Sequence, residues 1–107
     1  MSDSVIPGVT QEQINEWKTK YAEIFMITLS DGKYVYRPMK RFEYKGLMAN
    51  QEANRTFNEE KIAQMCIIYP TLDATKMPTL KAGTVSTLVE LIMASSNFGV
   101  TEEPVKL

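Results

Sequence analysis

The spacing of apolar residues changes character several times along the chain. Ile14, Trp17 and Tyr21 recur at helical intervals. Thr10-Gln11-Glu12-Gln13 has the spacing of a capping box, in which Thr10 and Gln13 satisfy orphan backbone donors. A short helix ending near Lys20 is predicted. From Ile24 to Leu29 the residues are mostly apolar or β-branched without a helical stripe, and Tyr34-Val35-Tyr36-Arg37 alternates. Between these runs stands Ser30-Asp31-Gly32-Lys33, whose Asp-Gly pair suits the positive φ of both central positions of a tight turn. The pattern predicts a β-hairpin closed by Pro38, which cannot continue a ladder.

Beyond Pro38 a helix is predicted from about Lys40 to Ala53, with Tyr44, Leu47, Met48 and Gln51 on one face. Gly46 inside it costs about 1 kcal/mol against alanine, so either the helix is weak there or a neighbour packs close. Thr56-Phe57-Asn58-Glu59 offers caps for a next helix carrying Ile62, Met65, Cys66 and Tyr69, widened by Ile67 and Ile68 and ended by Pro70. Residues 71–82 read as a polar loop. Thr84 or Thr87 then starts a last helix with Val85, Leu88, Val89, Ile92 and Met93 as its apolar face. Asn97-Phe98-Gly99 is its stop, with Phe98 folding back on the core. The expected fold is a small α+β domain: a short N-terminal helix and a β-hairpin packed on about three α-helices. Residues 1–9 read as a flexible lead-in, 10–99 as a single domain and 100–107 as a C-terminal tail.

Composition changes this picture little. The chain has 107 residues and a formal net charge of -1, enough for one core and without a global field toward nucleic acid or anionic lipid. Met1-Ser2-Asp3-Ser4 shows neither the charged nor the apolar region of a secretory signal, and no apolar stretch approaches the roughly 20 residues of a membrane span. A cytosolic, reduced setting is expected.

The chemistry-bearing residues are few. There is no histidine, the commonest general base, and no Gly-rich phosphate loop. Glu59-Glu60 and Glu102-Glu103 are adjacent acids that point to different faces of a helix and suit solvation better than catalysis. The lone cysteine, Cys66, lies among Met65, Ile67 and Ile68, where a buried small hydrophobe is expected over a reactive thiol. No catalytic residues, metal site or cofactor are expected, and no enzyme.

Contact chemistry is better represented. Lys33, Arg37, Lys40, Arg41 and Lys45 interleave with Tyr34, Tyr36, Phe42 and Tyr44. Such a mixture can bind nucleic acid, but strand and helix spacing scatter these side chains over several faces. Lys40 and Arg41 stand at a predicted helix N-terminus, which the macrodipole disfavours by about 0.3–1 kcal/mol. The placement points to a partner's carboxylates, a local salt bridge or plain solvation. Among the seven methionines, Met26, Met65 and Met93 fit core positions, whereas Met39, Met48 and Met77 could be exposed. Trp17 suits a core anchor or an interface hot spot equally.

The ordered set Asp31-Gly32-Lys33, Tyr36-Arg37-Pro38, Arg41-Phe42-Glu43-Tyr44, Glu59-Glu60-Lys61-Ile62, Cys66, Pro70, Ala82-Gly83, Ser86-Thr87-Leu88 and Ser95-Ser96-Asn97-Phe98 resembles small tailed-phage proteins of the tail-assembly-chaperone and baseplate-assembly families. It covers roughly residues 17–103. Such proteins often end the last helix Ser-Gly-Phe; here Asn97 takes the glycine's place, and asparagine is the next most tolerant of a left-handed cap. The resemblance implies a non-enzymatic chaperone in the cytoplasm of the infected bacterial host. Its partners would be phage tail proteins: tape-measure, tube or baseplate subunits. The partner-binding residues expected to be exposed are Trp17, Tyr21, Arg37, Met39, Lys40, Arg41 and Met48. Alternatives are a structural component of the virion tail or baseplate, and a small phage inhibitor of a host protein. The wide apolar helices would also suit a homo-oligomer; a membrane or nucleic-acid partner is not expected.

Overall fold

Each local signal becomes an element in the computed structural model, which describes residues 6, 8–49, 54–73, 75–99 and 103–107. The elements run α1 (Gln11–Tyr21), β1 (Phe25–Leu29), β2 (Gly32–Tyr36), α2 (Arg41–Met48), α3 (Arg55–Cys66), β3 (Ile67–Tyr69), a 3-10 turn (Met77–Thr79) and α4 (Thr84–Ser95). The result is a small α+β fold. The Thr10/Gln13 capping box is formed in both directions. The left-handed stop after α4 is present at Asn97, whose φ is 68°.

The three strands make an antiparallel sheet in the order β1-β2-β3. Phe25 stands opposite Tyr36 and their rings stack at 5.4 Å, a cross-strand pair that helps set the hairpin register. That register places Leu29 opposite Gly32, so Ser30 and Asp31 form the turn and Gly32 opens the return strand at φ 142°. The turn is thus displaced by one residue from the expected Asp31-Gly32 centre.

The third strand corrects the expected long helix ending at Pro70. Helix α3 stops at Cys66, and Ile67, Ile68 and Tyr69 are extended. Two β-branched residues and an aromatic favour that conformation, and the residue before a proline is pushed out of the α region. Ile67 and Tyr69 pair with Tyr36 and Val35, which leaves Ile68 as an extra residue at an irregularity of the ladder. Helix α3 also begins earlier than expected, capped by Asn54, whose Oδ1 accepts from the Phe57 N–H at 2.8 Å. Helix α2 is shorter than expected and ends at Met48; residues 50–53 of the expected helix lie outside the described residues.

Side-chain alternation along β2 builds two cores. Tyr34 and Tyr36 face the main one, formed with α3 and α4, where Ala63, Cys66, Leu88 and Ile92 are fully buried. Val35 faces the opposite side, where Ile6 and Val9 join it beneath Ile14, Trp17 and Tyr69. The flexible lead-in expected over 1–9 is therefore corrected at Ile6 and Val9, which are 3% and 2% exposed. They cover a sheet face that α1 alone leaves open. Gly8 between them is exposed, and the other lead-in positions, 1–5 and 7, lie outside the described residues. The 71–82 loop also contributes to the core, through buried Leu72 and Met77. Residues 103–107 carry no helix or strand and are exposed.

Candidate partner-binding site

Several of the motif residues hold the elements to one another. Arg37, directly after β2, makes a two-pronged salt bridge to Glu43 of α2 at 2.9 and 2.8 Å. Its guanidinium also donates to the carbonyls of Pro38 at 3.1 Å and Met65 at 3.0 Å. One side chain thereby ties the sheet to α2 and α3, in the bidentate geometry that suits a guanidinium. Glu43 in turn accepts from the Lys40 backbone N–H at 2.9 Å, half of a capping box at the start of α2. Hydrogen bonding from Arg37 holds the Glu43 carboxyl below its ordinary value. The Arg37 guanidinium is held more firmly charged by the same bond.

The hairpin turn is fastened to α4 in a similar way. Thr84, a buried polar residue, donates its hydroxyl to Asp31 Oδ2 at 2.8 Å. A carboxylate at a helix N-terminus is favoured by the macrodipole. At the other end of α4, Ser96 Oγ accepts from the Met39 N–H at 2.7 Å and donates to the Ile92 carbonyl. Phe98 returns onto Tyr44 with ring centroids 4.9 Å apart.

These contacts sort the seven expected partner-binding residues. Lys40, Arg41 and Met48 are exposed. Trp17 and Tyr21 are half-buried, Trp17 against Tyr69 at 6.2 Å and Tyr21 beneath the Arg37 guanidinium at 5.5 Å. Arg37 is mostly enclosed and committed to Glu43. Met39 is corrected: it is 6% exposed and belongs to the main core, where the Ser96 hydroxyl fixes its backbone N–H. Met77 is likewise buried, whereas Met26, expected in the core, is 42% exposed. Met26 lies on the outer edge strand, and alternation along β1 turns it away from α3 and α4.

The site that the sequence reading missed lies between α2 and α3. Phe57, Lys61 and Met65 recur every four residues along α3 and face Phe42, Gly46 and Leu47 of α2 across a cleft of about 440 Å³. Phe42 is 71% exposed and Phe57 39%. The Lys61 ammonium sits 5.5 Å over the Phe57 ring, and Arg41 lies over Tyr44 at 5.6 Å. Among the described residues nothing lies within 4 Å of where a Gly46 Cβ would stand, so this glycine leaves space beside Phe42, one helical turn away. That answers the question raised by a glycine inside the helix: no described neighbour packs against it. The signal was in the sequence, as an aromatic four residues before a glycine and off the Tyr44–Leu47–Met48 face.

Chemistry is sparse around this cleft. Among the described residues no group of three or more His, Cys, Asp or Glu side chains could hold a metal ion. No described helix is long and apolar enough to cross a membrane. Cys66 is fully buried, and burial pushes its thiol up to about 11. A thiol-selective aromatic disulfide reagent at pH 8 is therefore expected to leave the native protein unmodified and to react fully in denaturant. Because the folded-state value is raised, Cys66 contributes stability that is intact below about 9 and lost as the pH climbs through about 11. Reaction of the native protein at the unfolded rate would contradict this burial.

Comparison with known proteins identifies no relative: no protein-family model, curated protein or solved structure matches the chain.

Proposed function

We propose that this protein is a non-enzymatic tail or baseplate assembly chaperone of a tailed phage, acting by reversible protein contact in the cytoplasm of the infected bacterium. The phage assignment rests on the ordered motifs between Asp31 and Phe98. Contact as the mode of action rests on one observation, the 71% exposed Phe42 ring beside the open space over Gly46. Exposed aromatics at the centre of a cleft are the side chains that dominate binding energies when a partner covers them. Fully burying a phenylalanine is worth about 1.5–3 kcal/mol.

The mechanism follows from the rim and floor of the cleft. An apolar segment of a tape-measure, tube or baseplate subunit fills the space between Phe42, Phe57 and Met65 and excludes water. Lys61 within the cleft and exposed Arg41 and Lys45 on α2 raise the encounter rate with an acidic flank of that segment. The contact is small and reversible, which lets a downstream assembly subunit displace the chaperone.

Replacing Phe42 with alanine is expected to weaken partner binding by at least about 2 kcal/mol, roughly thirtyfold. The melting temperature should hold, since the ring contributes little to the core. The partner is found by affinity purification of a tagged copy from infected cells, read by mass spectrometry. Recovery of tail proteins supports the chaperone, provided purified virions lack the chain. Its retention in virions would make it a structural component, and recovery of a single host protein alone would make it an inhibitor. An unchanged affinity in the folded Phe42→Ala variant would remove the α2–α3 cleft from the reading.

A further inference from the structure

We propose that the open edge of strand β1 binds segment 103–107 of a second copy of this chain as a fourth strand of the sheet. The contact uses neither α2 nor α3, so it goes beyond the Phe42 cleft and stands or falls apart from it. The edge follows from the hairpin register. Leu29 and Gly32 flank the two-residue turn, and such a pair exchanges both of its backbone hydrogen bonds. Bonded and non-bonded pairs then alternate, so Phe25 and Ile27 bond to β2 while Met26 and Thr28 turn their N–H and C=O groups outward. Val35, opposite Met26, correspondingly turns its own groups toward Tyr69 of β3. No described strand pairs with the outer side of β1. Open edges are usually guarded by charge, proline or a bulge; Phe25-Met26-Ile27-Thr28-Leu29 has neither charge nor proline and pairs with β2 in regular register.

Beside this edge lies an apolar pocket of about 300 Å³, on the sheet face that Met26 shares with Val35. Ile6, Ile14, Ile24, Met26 and Val35 line it, and exposed Lys18 is the one charged residue of the described lining. Segment 103–107 matches edge and pocket in three ways. Glu103, Val105 and Leu107 alternate onto one face of an extended chain, and Val105 and Leu107 are both exposed. Laid antiparallel with Val105 opposite Met26, the segment brings Glu103 opposite Thr28 and Leu107 opposite Ile24. Directly opposed residues share a face, so both apolar side chains enter on the pocket side. Proline supplies the second match. In this register residues 103, 105 and 107 bond to β1, and Pro104, which has no N–H, faces solvent as a strand proline must. The third match is charge, since Glu103 has the sign opposite to that of Lys18. Within one copy the segment carries no helix or strand and is exposed, which leaves it free for a second copy. Two copies that exchange segments fill both edges in a closed two-fold dimer.

Sedimentation of the full chain tests this. A monomer is expected at the micromolar concentrations of a thermal melt, with a dimer building up between about 0.1 and 1 mM, because two short strands bury little area. The double variant Val105→Asp/Leu107→Asp carries charge into the pocket, and Met26→Lys puts charge on the edge. Each should weaken dimerisation at least about tenfold. All three positions are exposed, and thermal melts establish that the variants fold. Mixing the two variants then decides where the contact lies, since one keeps its edge and the other keeps its segment. The amide signals of Met26 and Thr28 in the isotopically labelled double variant should shift when unlabelled Met26→Lys chain is added. They should stay in place when the unlabelled double variant is added. Should Met26→Lys fail to fold, the unlabelled wild-type chain serves as the donor. A chain that stays monomeric to about 1 mM, undiminished dimer in the double variant, or edge amides that do not move on mixing would each overturn the proposal. So would edge amides protected equally at every concentration, which would mean that the segment docks on its own copy.

Discussion

Arg37→Ala is expected to lower stability by about 3 kcal/mol, measured by urea denaturation near neutral pH. The guanidinium makes four hydrogen bonds, two to Glu43 and one each to the carbonyls of Pro38 and Met65. The side chains of Arg37 and Glu43 are only 13% and 15% exposed, so the abandoned carboxylate is poorly hydrated in the variant. Surface ion pairs contribute little, but this pair is mostly enclosed and joins three elements. Arg37→Lys should recover only part of the loss, because an ammonium cannot present the two-pronged geometry.

The loss should also depend on pH. Glu43 is held below its ordinary value, chiefly by hydrogen bonding to Arg37. A depressed carboxylate contributes stability that is complete above the unfolded value and disappears as pH falls through the folded value. The gap between wild type and Arg37→Ala should therefore narrow in acid. A double-mutant cycle with Glu43→Gln isolates the pair, and a coupling near zero would show that the bridge does not hold the sheet to α2.

Leu88→Ala should cost a similar amount, about 3 kcal/mol, for a different reason. Leu88 is fully buried on α4, in the same cluster as Ile62, Ala63 and Cys66 of α3. Removing its branched end forfeits transfer energy and leaves a cavity that close-packed neighbours fill only in part. Small domains are stable by only about 5–15 kcal/mol, so this single change removes a substantial share. The melting temperature should drop by about 12 °C. Val105→Ala is the control, since Val105 is 82% exposed and its truncation should leave the melt unchanged. A Leu88→Ala variant that melts with wild type would mean that α4 does not sit on α3 as described.

The two variants also separate fold from function. Arg37 and Leu88 are predicted to change stability, whereas exposed Phe42 is predicted to change partner affinity with the fold intact. The motif residues that carry the phage resemblance divide the same way. Asp31, Arg37, Glu43 and Ser96 are occupied in joining elements. Within the Arg41–Tyr44 motif Arg41 and Phe42 are exposed, and the Phe42 ring stands in solvent. A pattern of this kind specifies an arrangement of helices and strands, and a contact surface of the kind proposed has to lie outside it.

What the amino-acid order determined by itself is local. The Thr10 capping box, the hairpin around Asp31 and the left-handed Asn97 depend on groups within four or five residues of one another. Their spacing is therefore readable from the chain. The α+β class was legible for the same reason, since helical and alternating apolar periods are local properties. The tertiary structure decided everything that depends on distant neighbours. Ile67–Tyr69 became a strand because β2 offered a free edge, although the same apolar run continues a helical stripe. Met39 was drawn inside by Ser96, 57 residues away, and Arg37 was enclosed by the Met65 carbonyl, 28 residues away. Ile6 and Val9 found a sheet face to cover. Phe42 was left in solvent because α2 and α3 are separated by a cleft beside Gly46, and no periodicity within α2 encodes where α3 will lie.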